Sequence, residues 1–142
     1  MNILVSSCLL GLDCRYNGTH CFSESVAALS TIHTLIPVCP EQMGGLPTPR
    51  APLERARGLV IDKDGRDYTA AVEKGSDEVL KIAKLLICTH AITKSRSPSC
   101  GCGIIYDGTF TRHMTEGNGL AVDKLLAAGI QVTDENHLSC YL

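Results

Sequence analysis

An α/β fold of Rossmann-like organisation, with a mostly parallel sheet flanked by helices, is what this sequence predicts, and three observations predict it. Short apolar β-prone runs alternate with helical segments, the order that yields a parallel sheet with right-handed crossovers. At 142 residues and 44% hydrophobic, the chain is long enough for one compact core and too short for two comfortable ones, so a single domain over 1-142 is expected. The apolar runs also end in loops dense in Cys, Gly, Pro and Ser, which in open α/β sheets is where sites lie, at the carboxyl edge of the strands.

Asn2 to Ser7 reads as the first strand, its apolar run Ile3-Leu4-Val5 stopping at serines and delivering Cys8 to its end. Asn17-Gly18 marks a turn, and Ser23 is placed to cap a helix over Glu24 to Leu29, with Glu24 in the favourable first turn. Leu35-Ile36-Pro37-Val38 is a second strand, and Pro37, which has no N–H to give a ladder, puts it at an edge. From Cys39 to Pro52 the chain carries four of its six prolines, and a rigid site loop, neither helix nor ladder, is expected there. Leu59-Val60-Ile61 and Arg66-Asp67-Tyr68 flank Asp64-Gly65 as a hairpin.

A long helix is expected from Thr69 to Leu86, with Gly75 as a weak point that bends or divides it. Ala91-Ile92 opens a third strand that runs into Lys94-Ser95-Arg96-Ser97-Pro98-Ser99-Cys100-Gly101-Cys102-Gly103. Beyond this loop, Ile104-Ile105-Tyr106 and Thr109-Phe110 flank Asp107-Gly108 as a further hairpin. A last helix from Leu120 to Ala128 ends on Gly129 and leads to a short strand, Ile130-Gln131-Val132.

Composition excludes several function classes. The 15 acidic and 13 basic residues nearly cancel, so no whole-molecule field draws the chain to a nucleic acid or an anionic membrane. With no Trp and two Phe, a base-stacking surface for single strands is not expected, and direct nucleic-acid binding is set aside. The start lacks a basic region and a long apolar stretch, and no segment is long enough to cross a bilayer, so a cytoplasmic location is expected. In a reducing compartment the eight cysteines point to metal binding or catalysis before disulfides, with some of them simply buried.

Three of these thiols follow predicted strands: Cys8, Cys39 and Cys100. In a parallel sheet those ends share one edge, so the three can converge. There is no C-x-x-C pair, which excludes the zinc-ribbon and thioredoxin patterns, and the five histidines stand at no ligand spacing. Spacing alone leaves three readings open: buried thiols with no shared ligand, a catalytic zinc, or an iron–sulfur cluster, the last favoured by all-sulfur ligation.

The motifs Ser7-Cys8-Leu9-Leu10-Gly11 with Arg15-Tyr16-Asn17-Gly18, Val38-Cys39-Pro40-Glu41 with Gly44-Gly45-Leu46-Pro47-Thr48-Pro49-Arg50, and Lys94 to Gly101 with Ile105-Tyr106-Asp107-Gly108 occur in succession. In that order they resemble the thiouracil desulfidase family of small iron–sulfur proteins over nearly the whole chain. The resemblance implies a 4Fe-4S cluster with three cysteine ligands, Cys8, Cys39 and Cys100, and one open iron. It implies hydrolytic, non-redox removal of sulfur from a thiolated pyrimidine, giving uracil and sulfide, with Glu41 and Ser97 as the acid–base pair. The partner implied is a small thiolated base. The alternative is a non-catalytic metal- or cluster-binding or sensing module closed by a fourth thiol, Cys102 or Cys14. Both thiols depart from the family's pattern and are left out of the ligand set. Arg15, Arg50, Lys94 and Arg96 would give the site a positive rim, unless they are spent on salt bridges to residues such as Asp13 or Glu54.

Overall fold

A computed structural model describes all residues, 1–142. In chain order its elements are β1 (Asn2–Ser6), a 3-10 turn over Ser7–Leu10, α1 (Glu24–Ala28), β2 (Thr34–Val38), α2 (Pro40–Met43), β3 (Glu54–Ala56) and β4 (Leu59–Ile61). There follow α3 (Thr69–Leu85), β5 (His90–Thr93), β6 (Ile104–Tyr106), β7 (Met114–Glu116), α4 (Leu120–Ala127) and β8 (Gln131–Asp134). Four strands form one parallel sheet in the order β2-β1-β5-β8, and the rest form two small antiparallel pairs, β3 with β4 and β6 with β7.

The sheet stands on the period-two alternation of its central strand. Ile3 and Val5 of β1 face one layer, where they meet Leu9, Val26, Leu29, Ile92 and Tyr141. Leu4 faces the other, against Val79 and Ala83 of α3, Ala91 and Leu125. Ile3, Leu4 and Val5 are all at most 1% exposed; burial of each stabilises the fold by about 1.5–3 kcal/mol. The register sets Leu4 between Ile36 of β2 and Ala91 of β5, so β1 delivers Ser7 and Cys8 level with the ends of both neighbours. As expected, β2 with Pro37 is an edge strand, and the Ser23 hydroxyl caps α1 by accepting from Val26 N–H at 3.3 Å.

Four expectations are corrected. The stretch from Cys39 is not free of helix: Pro40 occupies the first position of α2, where a missing N–H costs nothing, and Glu41 lies in the first turn. A hairpin that was not expected forms between β3 and β4 about Arg57-Gly58, and the expected one about Asp64-Gly65 is present only as a single bridge, Ile61 with Asp67, closed by Asp62 N–H on the Arg66 carbonyl and Tyr68 N–H on the Val60 carbonyl. The strand partner of β6 is Met114–Glu116 rather than Thr109-Phe110, since the loop between runs longer and Phe110 is left-handed, with φ of 58°. Gly75 does not divide α3, which runs unbroken from Thr69 to Leu85. It is where α3 meets α2: a Cβ on Gly75 would collide with the Pro40 carbonyl, and one on Gly44 with the Ala71 carbonyl.

Candidate functional site

The three strand-end thiols enter one cavity of about 710 Å³. Cys8 comes from the 3-10 turn after β1, Cys39 is the N-cap of α2 after β2, and Cys100 ends the loop after β5. Cys8 and Cys100 are each 7% exposed. Glu41 and Ser97 line the same cavity, so all five residues singled out from the sequence are brought together. Residues following β8 complete it, with Glu135 accepting from Lys94 Nζ at 2.8 Å and from Ser95 N–H at 2.9 Å.

The loop that carries Cys100 is shaped by its own serines. Ser97 Oγ accepts from the N–H groups of Ser99 and Cys100, both at 3.1 Å, and Gly101 N–H closes on the Ser97 carbonyl at 2.8 Å. A side chain at Gly101 would strike Ile105 and the Ser97 carbonyl, so only glycine passes there. Ser6 ties the loop to β1 by accepting from Lys94 N–H at 2.9 Å.

Glu41 is held at both oxygens. Arg50 Nε donates to Oε1 at 2.9 Å and Ser99 Oγ donates to Oε2 at 2.9 Å. Arg50 reaches further, from Nη2 to the Cys14 carbonyl at 2.8 Å and from Nη1 to Thr48 Oγ1 at 3.0 Å, so one guanidinium joins three loops of the site. The carboxylate therefore faces the thiols in one orientation while retaining free acceptor positions.

Cys14, one of the two possible fourth thiols that the sequence offered, also belongs to this group. The chain doubles back through Leu12 N–H to the Ser7 carbonyl and Cys14 N–H to the Leu12 carbonyl, which packs Cys14 with Cys8 and Cys39. Hydrogen bonding is the leading influence on how Cys14 and Cys39 titrate. Cys39 draws the Cys14 thiol down, but Cys8 and burial together outweigh it and push Cys14 up to about 11. Cys14 and then burial push Cys39 up, and burial pushes Cys100 up to about 12. Without a metal, Cys14, Cys39 and Cys100 are thiols near neutral pH.

The remaining candidates separate cleanly. Cys102 turns away, its Sγ against the Val132 carbonyl at 3.6 Å. Cys88 is core, as expected, and Cys140 is exposed. Arg15, Arg50, Lys94 and Arg96 all line the cavity. Arg50 and Lys94 are committed to Glu41 and Glu135, not to Asp13 or Glu54, whereas Arg15 lies over the Tyr16 ring at 5.5 Å. Glu54 instead accepts from Gly108 and Phe110 N–H, which holds the left-handed Phe110 at the cavity's edge. Ser99 and Glu135 were missed; the S-x-S spacing ahead of Cys100 was the available signal for the first, and nothing local marks the second.

Comparison with known proteins places this architecture among relatives. A family model described as 2-thiouracil desulfurase matches residues 3–137. An uncharacterized protein, YbbK, of Bacillus subtilis (strain 168) is 39% identical over 147 aligned positions, covering 96% of this chain and 97% of its own. A solved structure named 4Fe-4S-dependent thiouracil desulfidase TudS is 39% identical and covers 96% of this chain and 92% of its own, with a TM-score of 0.91.

Proposed function

The chain belongs to the 2-thiouracil desulfurase family, and on that premise we propose that it is a 4Fe-4S-dependent desulfidase that hydrolytically removes sulfur from a thiolated pyrimidine such as thiouracil, giving uracil and sulfide. The observation that carries this reading is that Cys8, Cys39, Cys100, Glu41 and Ser97, from three separate loops, line one cavity.

The donor set suits such a cluster better than a single ion. No group of three His, Cys, Asp or Glu side chains gathers closely enough for one metal ion, and no histidine lines the cavity, which speaks against zinc. Three thiols lining one cavity, Cys8 and Cys100 buried and Cys39 half-buried, are the soft ligands that an iron–sulfur cluster takes, with Cys8, Cys39 and Cys100 as its holders. When bound with one iron free of protein, the cluster would supply a Lewis acid that draws electron density from the carbon–sulfur bond.

The chain's own residues supply the rest. Glu41, fixed by Arg50 and Ser99, is oriented to take a proton from the attacking water and to return one to the ring or the leaving sulfur. The Ser97 turn aims the amides next to Cys100 and holds that ligand in place. The cavity volume lies within the range of about 300–1,000 Å³ usual for small-ligand sites, and its partial enclosure limits bulk water around the reacting carbon. A small thiolated base is accordingly the partner proposed. No helix is long and apolar enough to cross a membrane.

One observation favours the second reading, a binding or sensing module: Cys14 packs beside Cys8 and Cys39 and offers a fourth thiol. The two readings part in one experiment. Protein purified without oxygen and loaded with iron and sulfide is mixed with thiouracil; one uracil and one sulfide should appear per substrate consumed, and the Glu41→Gln variant should keep its iron and lose turnover. Fully loaded protein that leaves thiouracil intact contradicts the desulfidase reading.

A further inference from the structure

Hydrogen counting at the Cys100 loop separates the roles of its two inner serines. A serine hydroxyl has one proton to give and two lone pairs to receive. Both lone pairs of Ser97 Oγ are taken, by the N–H groups of Ser99 and Cys100 at 3.1 Å each. Ser99 Oγ has two candidate acceptors, Glu41 Oε2 at 2.9 Å and Cys100 Sγ at 3.8 Å. The shorter, charge-assisted bond to the carboxylate takes its proton. Ser97 and Ser99 Oγ lie 3.0 Å apart, so the remaining proton, that of Ser97, points to Ser99. The line therefore runs in one direction, from Ser97 to Ser99 to Glu41, and ends at Arg50 on the carboxylate's other oxygen.

We propose that Ser99 is a positioning residue for the desulfidase reaction: its hydroxyl, which couples the Ser97 turn to the Glu41 carboxylate, acts on turnover through Glu41. This rests on the function proposed above. Ser99 is 2% exposed, and it is the one hydroxyl that bonds Glu41 directly. Ser97, with every valence of its hydroxyl engaged inside the loop, reaches Glu41 only by way of Ser99. Coupling of this kind keeps a carboxylate in one rotamer across the loop boundary between α2 and the Cys100 segment.

The test uses anaerobically loaded wild type, Ser99→Ala, Glu41→Gln and the double variant. Ser99→Ala is expected to hold its full iron, keep KM within about twofold and lose roughly 10- to 100-fold in kcat, the scale of losing a group that orients an active residue. In the Glu41→Gln background, removing the Ser99 hydroxyl should cost nothing further. The infrared carboxylate stretch that disappears in Glu41→Gln should shift in Ser99→Ala. Wild-type kcat in Ser99→Ala, an unmoved carboxylate band, loss of iron, or a double variant slowed by the product of the two single effects each overturns the proposal. If loaded wild type fails to turn over thiouracil, the desulfidase reading falls while the infrared band still decides whether Ser99 governs Glu41.

Discussion

Arg50 and Glu41 meet at 2.9 Å with side chains only 7% and 12% exposed, an ion pair drawn almost wholly out of water at the edge of the thiol cavity. A surface pair of this kind would contribute little. Here both charges have given up hydration, and the guanidinium repays it by serving Glu41, the Cys14 carbonyl and Thr48 together.

Arg50→Met should therefore be far more damaging than a surface substitution. It strands the Glu41 carboxylate and frees the loop from Pro47 to Arg50, for an expected loss of about 3 kcal/mol, the lower end for breaking a buried pair. Urea unfolding of the metal-free protein measures it. Arg50→Lys should recover only part, because a single ammonium cannot make the divergent contacts of the guanidinium. A loss below about 1 kcal/mol for Arg50→Met would show the pair to be energetically superficial.

The raised thiols give a pH-dependent reactivity in metal-free, reduced protein. Thiolate is the reactive form, so a thiol titrating near 11, as Cys14 does, is ionised to roughly one part in a thousand at pH 8. Timed iodoacetamide labelling read by peptide mass spectrometry should modify exposed Cys140 first and Cys14, Cys39 and Cys100 last. The Cys14 rate should climb about tenfold per pH unit between pH 8 and 10. Equal labelling of all sites at pH 8 would contradict the placement of these thiols.

Gly75→Ala reverses an ordinary rule. In an exposed helix the change stabilises by roughly 0.5–1 kcal/mol. At this position the new Cβ meets the Pro40 carbonyl, and α2, which carries Glu41, must shift. The expected result is a loss of about 1–3 kcal/mol in thermal or denaturant unfolding, as for overpacked cores. A stabilised variant would mean that α2 and α3 are not in contact there.

The sheet was readable because its signals are local and agree with one another. Ile3-Leu4-Val5 and Ala91-Ile92 are apolar runs closed by serine and threonine, and helical segments stand between them, α1 with its Ser23 cap, so alternation alone implied the parallel order. The small hairpins were only partly readable, for the opposite reason. Asp64-Gly65 and Asp107-Gly108 are strong turn dipeptides, but β3 and β6 choose partners across loops by packing that no short-range signal encodes. Gly75 looked like a flaw because a sequence shows a missing side chain without showing the helix pressed against it. At the site, Cys8, Cys39 and Cys100 were legible from their place after strands. Cys14 was legible only as one of two possible fourth thiols, since its approach depends on a backbone reversal through Leu12, and Ser99 was hidden behind the more familiar serine before proline.

The ligand set is the claim on which the rest depends, and iron and sulfide content after anaerobic loading tests it most directly. Wild type and Cys102→Ser should each carry about four irons and four sulfides per chain, the composition of one 4Fe-4S cluster. Cys8→Ser, Cys39→Ser and Cys100→Ser should each lose most of both. Full iron in any of those three variants, or its loss in Cys102→Ser, would contradict the assignment of Cys8, Cys39 and Cys100 as the holders of the cluster.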